Sequence, residues 1–238
     1  MNMNKLSGPV PGVLKLLLTA LLLSGCAQAA EQAKVVPIPI VDNPKAAGPL
    51  QTAVLAGGCF WGVQGVYQHV HGVRNVLSGY AGGEKSTAQY DTVSGGRTGH
   101  AESVQITFDP QEVSYGELLQ IYFSVVHDPT QLNRQGPDVG TQYRSSIFYA
   151  DDTQKKIAEA YIQQLDKAKL FRGAIVTRVD PGKGFYLAEA YHQDFLVNNP
   201  RYPYIVFNDL PKVRNLKQLF PKVYIDPPVT VASSSKGS

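Results

Sequence analysis

The stretch "TAVLAGGCFWGVQGVYQHV" (Thr52 to Val70) changes hydrophobic period across a pair of glycines. Thr52 to Ala56 is a short β-type run. Beyond Gly57-Gly58, Val63, Val66, Tyr67 and Val70 fall at i, i+3, i+4 and i+7, the spacing of one helix face. A strand feeding a helix through so short a turn constrains the fold: sheet and helix must bury their apolar faces against each other. The same mixture continues along the chain. "VRNVLSGYAGG" is strand-like, and "HAESVQITFDP" alternates, with Glu102, Val104, Ile106 and Phe108 on one side. Ser114 and Glu117 form a capping box that opens an apolar helix. "SSIFYA" and "AIVTRV" read as strands, Asp152 begins a helix with Ile157, Tyr161 and Leu165 on one face, and "LAEAYHQDF" reads as helical. Without a strict β-α-β rhythm, the class predicted is α+β: one sheet covered by helices, in a single domain.

The ends read differently. Residues 1–25 carry Lys5 and Lys15 ahead of an apolar run, Leu16 to Leu23, too short to span a bilayer. The run closes on "LSGC", which resembles a bacterial lipobox and makes Cys26 the expected lipidated N-terminus of the mature chain. Cleavage after "AQA" at Ala29 is the alternative. A lipid anchor would hold the protein on the bacterial cell envelope. The lack of an Asp beside Cys26 favours, by resemblance, the periplasmic side of the outer membrane. Residues 26–51, with Pro37, Pro39, Pro44 and Pro49, have no sustained period and read as a tether. Residues 227–238 read as a flexible tail, which leaves 52–226 as the folded domain. The formal net charge of +3 drops to +1 once Lys5 and Lys15 are removed, too weak a field to steer nucleic acid.

The chain has two cysteines, so acylation of Cys26 would leave Cys59 without a disulfide partner. Cys59 lies at a Gly-rich turn where a helix begins. Unpaired N–H groups and the helix dipole there would favour thiolate, so the position suits a nucleophile better than an inert buried cysteine. Glu102 falls on the apolar face of its strand. A carboxyl placed there should titrate high and hold its proton near neutrality; a frayed strand end would instead leave it an ordinary charge. Metal chemistry has little support, because His69 and His71 diverge and no cysteine cluster backs His100, His127 or His192. "GGEKS" has Glu84 where a phosphate loop needs Gly before the lysine.

Four blocks, "GCFWG", "SGGRTGHAE", "HDPTQLNRQGPDVGTQYRS" and "YHQDFLVNNP", resemble peptide methionine sulfoxide reductase A, in that family's order, from about Thr52 to Asp209. The resemblance implies a two-layer α/β sandwich around a mixed sheet, and reduction of methionine-S-sulfoxide, free or in proteins. Cys59 would be the nucleophile and Glu102 the acid that protonates the sulfoxide oxygen. Tyr90 and Tyr143 would hydrogen-bond that oxygen, Phe60 and Trp61 would hold the S-methyl group, and Asp138 would bind the substrate backbone. By themselves, Tyr90 and Tyr143 read as half-buried tyrosines bonded locally, and Asp138 as a turn residue. No bound cofactor or metal is implied, and a monomer is expected. Relatives that carry a second cysteine near the "RTGHAE" block have Ser94 in its place here, and nothing after Asp209 supplies one. An external thiol must therefore regenerate the enzyme, from a thioredoxin-like protein, a glutaredoxin or a small molecule. Two other classes compete with this reading: an inactive methionine-binding lipoprotein, and a peroxide sensor built on Cys59.

Overall fold

Strand β1 (Gln51–Gly57) runs through the interior of a six-stranded sheet. In this computed structural model, residue 1 and residues 33–234 are described; the rest of the expected export segment, and Cys26, lie outside the described residues. The other sheet strands are β2 (Val73–Ala81), β3 (Ala101–Phe108), β6 (Ser145–Tyr149), β7 (Arg178–Pro181) and β8 (Phe185–Leu187), in the order β7-β6-β1-β3-β2-β8. All neighbours are antiparallel except β6 and β7, so the sheet is mixed. A two-residue ladder, β4 (Arg134–Gln135) with β5 (Asp138–Val139), stands apart. The helices are α1 (Phe60–Gln68), α2 (Tyr90–Val93), α3 (Tyr115–Ile121), α4 (Asp152–Lys167), α5 (Phe195–Asn198), α6 (Leu210–Leu219) and α7 (Val231–Ser234). Wider π-type turns extend α3 over Tyr122–Val126 and precede α6 over Ile205–Asp209.

The register explains why distant segments meet. β1 pairs with β3 from Gln51↔Phe108 to Leu55↔Val104 and with β6 up to Gly57↔Ser145. β2 pairs with β3 up to Ala81↔Ala101 and with β8 at Gly79↔Leu187. The C-terminal ends of β1 and β2 therefore lie at the same end of the sheet as the N-terminal ends of β3, β6 and β8. Everything that leaves or enters the strands there converges. One face of the sheet packs under the helices in a single core: Leu55, Val104, Ile106 and Phe108 meet Val63, Val66 and Tyr67 of α1 and Leu118 of α3. Tyr67 bonds the Leu118 carbonyl at 2.9 Å, which ties α1 to α3. The capping box predicted at Ser114 and Glu117 is formed, and Ile157, Tyr161 and Leu165 are the buried face of α4.

Four expectations need correction. The strand expected at "AIVTRV" forms four residues later, over Arg178–Pro181, because Val176 N–H is held by the Pro129 carbonyl in a loop. "LAEAYHQDF" is helical only over Ala190–His192 and from Phe195; before it, Phe185–Leu187 is edge strand β8. The described part of the tether is a strap that carries no helix or strand but is bonded along its length. The Val36 backbone bonds Ser124 and Gln120, Pro37 accepts from Tyr161, Ile38 and Ile40 exchange bonds with Gln164, and Asp42 accepts from Ser114 and Gly116. Prolines suited this extended path because they forgo donors the strap does not need. The tail also docks at its start: Val229 N–H bonds the Gln68 carbonyl, and Val231 N–H reaches the Asp194 carboxylate.

Candidate active site

The site is built where β1 ends. Gly58 adopts φ +93°, and a Cβ there would lie 2.6 Å from Gln135 Cβ, so only glycine turns this corner under the 127–135 loop. The turn delivers Cys59 to the N-cap of α1. Beside it, Glu102 Oε2 accepts the Phe60 N–H at 3.0 Å, which fixes the carboxyl across the first turn of the helix. Gly62 lacks the Cβ that would run into the Asp209 carboxylate, and so lets a second acid approach the same turn.

Both Cys59 and Glu102 are buried, at 8 % and 3 % exposed. Burial dominates their electrostatics. It raises Glu102 from 4.5 to about 8, against the lowering bond from Phe60, with Asp138 and Asp209 adding to the rise. The carboxyl thus holds a proton at neutral pH, and the frayed-end reading does not apply. Burial also pushes the Cys59 thiol well above its ordinary value, reinforced by Glu102 and Asp209, while a backbone bond from Trp61 pulls the other way. This reverses the expectation that the helix terminus would favour thiolate in the resting site. Desolvation of a sulfur among carboxyls outweighs the partial charge of a short helix.

Tyr90, at the start of α2, and Tyr143, in the Thr141–Tyr143 turn before β6, are half-buried. Burial raises both phenols, and the charges of Glu102 and Cys59 act on each, so all four groups share one site. The core tyrosines Tyr67, Tyr80, Tyr122 and Tyr161 spend their hydroxyls on protein acceptors. The hydroxyls of Tyr90 and Tyr143 make no hydrogen bond among the described residues and remain open to an incoming oxygen.

Trp61 is half-buried in an aromatic nest: its indole stacks on Phe195 at 3.8 Å and 11°, with Tyr204 and Tyr202 edge-on at 5.9 and 6.3 Å. Phe60, by contrast, is fully buried between Tyr80 and His192 and supports the wall from behind. Asp138, in β5, accepts a short hydrogen bond from Tyr204 OH; burial raises its carboxyl, while that bond and Lys212 oppose the rise. Tyr204, Asp209, Glu189 and His192 belong to this site and carry no periodic sequence signal. Only their place in or close to the "YHQDFLVNNP" block marks them. Among the described residues no three His, Cys, Asp or Glu side chains converge as a cation would require.

An α+β fold that gathers a buried thiol, a protonated carboxyl, two open phenols and an indole wall at one sheet edge defines a cysteine-based redox enzyme. Comparison with known proteins agrees. The family model described as peptide methionine sulfoxide reductase matches residues 51–223. Peptide methionine sulfoxide reductase MsrA 2 of Mesorhizobium japonicum is 67% identical over 193 residues, covering 81% of this chain and 99% of its own. The Synechocystis protein of the same name is 53% identical over 190 residues, covering 79% and 89%. Among solved structures, reduced Mxr1 from Saccharomyces cerevisiae superposes with a TM-score of 0.58 at 34% identity, over 72% of this chain and 92% of that one. Methionine sulfoxide reductase A of Corynebacterium diphtheriae gives 0.55 at 32%, over 75% and 92%. The chain belongs to the peptide methionine sulfoxide reductase A family.

Proposed function

We propose that the protein reduces methionine-S-sulfoxide, free or within proteins, to methionine with electrons from thiols. The observation that carries this reading is the bond from Phe60 N–H to Glu102: it sets an acid beside the reactive sulfur, one residue from Cys59. A sulfoxide oxygen leaves poorly until protonated. Glu102, protonated at neutral pH, gives its proton to that oxygen, and the hydroxyls of Tyr90 and Tyr143 stabilise the charge that develops on it. The Cys59 sulfur then attacks the sulfoxide sulfur, and its thiol proton passes to the Glu102 carboxylate, which restores the acid. Two electrons pass from the thiol to the sulfoxide, the oxygen moves to Cys59, and methionine leaves a cysteine sulfenic acid behind.

The resting thiol is consistent with this order. Glu102 is neutral in the resting site and adds no repulsion there; once its proton is on the sulfoxide, the positive charge on the substrate draws in the sulfur and the Glu102 carboxylate takes up the thiol proton. Trp61, backed by Phe60, selects the S-methyl group, and Asp138 binds the substrate backbone. An external thiol attacks the sulfenic acid with loss of water, and a second thiol releases the mixed disulfide. A thioredoxin-like protein, a glutaredoxin or a small thiol fits this step, since Cys59 is the one free cysteine among the described residues. The "LSGC" segment supports acylation of Cys26 and a place on the cell envelope, to be tested by intact mass of membrane-extracted protein.

The test of the activity is a single turnover without reductant. One methionine released per protein, with loss of the free thiol, supports the enzyme, and Cys59→Ser should abolish release. Release that survives in Cys59→Ser, or none in the wild type, defeats the reading; peroxide consumption without methionine release would favour the sensor.

A further inference from the structure

Trp61, the methyl wall in the proposed reaction, is also tied by a hydrogen bond that the reaction does not use. Its Nε1–H donates to Nδ1 of His192 at 3.1 Å. The imidazole is 1 % exposed and sits against four aromatic rings: Tyr191 at 4.1 Å, Tyr90 at 4.6 Å, Phe60 at 4.9 Å and the indole itself at 5.8 Å. A ring nitrogen that accepts must be unprotonated, so the proton of a neutral imidazole lies on Nε2. That nitrogen lies 3.9 Å from Glu189 Oε2, beyond hydrogen-bond distance, and has no hydrogen-bond partner among the described residues. Glu189 is itself fixed, because Oε1 accepts the Tyr90 backbone N–H and Oε2 accepts the Tyr80 hydroxyl, both at 2.9 Å. The bond to the indole is thus the imidazole's one directional tie among the described residues, and ring contact with Tyr90 places it between the wall and α2.

We propose that His192, held among these rings, is a positioning residue that fixes the Trp61 indole and so sets the selectivity of the site for methyl over larger sulfoxide substituents. The inference rests on the reading that Trp61 contacts the S-methyl group. An indole stacked on Phe195 could still slide along that ring; the single directional bond to Nδ1 removes this freedom. Protonation of His192 would turn Nδ1 into a donor and cut the tie. The groups that face the imidazole are Glu189 beside it, Tyr191 next in sequence, Tyr90 from α2, and Phe60 and Trp61 from α1, and Glu189 alone carries a charge. Burial holds His192 below its ordinary range against the opposing pull of Glu189, so the tie persists into mildly acid solution.

Trp61 is the only tryptophan in the chain, so intrinsic fluorescence reads its surroundings directly. In the wild type, emission should change in one step on acidification, with a midpoint below about pH 6.5, the ordinary imidazole value. The step should vanish in His192→Phe and in His192→Asn, which lack the imidazole, whereas any change that Asp138 transmits through Tyr204 is common to all three proteins. The second measurement is the ratio of single-turnover rates on methionine sulfoxide and ethionine sulfoxide. His192→Phe keeps the ring and loses the acceptor, and should lose roughly tenfold of that ratio, the scale on which a pocket senses one methylene. His192→Asn places a carbonyl oxygen close to the Nδ1 position and should restore most of it.

The proposal is overturned if wild-type emission shows no acid step, if His192→Phe keeps the wild-type ratio, or if His192→Asn loses as much as His192→Phe. The last result would mean that ring volume, not the bond, matters. The fluorescence titration needs no variant, so a poorly folding His192→Phe leaves a decisive arm. Methionine release in the wild type separates a failure of this inference from a failure of the proposed activity.

Discussion

Replacing Glu102 by Gln isolates the proton that the proposed chemistry depends on. Gln keeps an oxygen to accept the Phe60 N–H and matches the shape of the acid, but it has no proton to give and no charge to gain. The folded-state value of about 8 against 4.5 means that, between these limits, the folded protein holds one proton more than the unfolded chain. Wild-type stability should therefore fall as pH rises through this window, relative to the variant, with the loss complete above about pH 8. At ~1.4 kcal/mol per pH unit, the whole window corresponds to at most about 5 kcal/mol. Urea unfolding of both proteins from pH 5 to pH 8.5 measures the difference directly. Below pH 8.5 the thiol of Cys59, pushed high by burial, stays protonated in both and drops out of the comparison. In the single-turnover assay, loss of the general acid should slow methionine release by roughly 10²- to 10⁴-fold. Parallel stability curves across the window would show that Glu102 is ionised in the fold, and the proposed proton donor would not exist. A variant that releases methionine at the wild-type rate would refute the acid role even if the stability curves diverge.

Three further outcomes follow from single contacts. Gly62→Ala drives a Cβ into the buried Asp209 carboxylate and should destabilise by about 1–3 kcal/mol in urea unfolding, with slower turnover as the first turn of α1 shifts. Tyr143→Phe removes a hydroxyl with no hydrogen-bond partner among the described residues, so unfolding should barely change while single-turnover release slows by roughly 10²-fold. Asp42→Ala frees the strap from Ser114 and Gly116 and should lower stability by about 1–3 kcal/mol, with methionine release at saturating substrate unaltered.

Local chemistry made much of the molecule legible. The period change at Gly57-Gly58 located β1 and α1, the alternation through Val104, Ile106 and Phe108 located β3, and Ser114 with Glu117 located the start of α3. Position on an apolar face also anticipated the raised Glu102. What failed, failed for stated reasons. The path of "AIVTRV" depends on the Pro129 carbonyl, far off in sequence. The strap looked like a tether because its order comes from side chains of α3 and α4, not from a period of its own. The protonation of Cys59 is not legible in the sequence, because a helix terminus is visible there, whereas the depth of burial and the approach of Asp209 are not.

The sequence alone determined which residues could react: a lone cysteine at a glycine corner, an acid on an apolar strand face, and aromatic residues beside them, all consequences of chemistry within a few positions. Only the tertiary structure decided that they react together. The antiparallel register brings the ends of β1 and β2 to one end of the sheet with the starts of β3, β6 and β8, so that Cys59, Tyr90, Glu102 and Tyr143 converge, and His192 joins them through its contacts with Trp61 and Tyr90. It also decided protonation, because the cost of holding a charge depends on the water that the whole fold excludes, and no short stretch of chain sets that by itself.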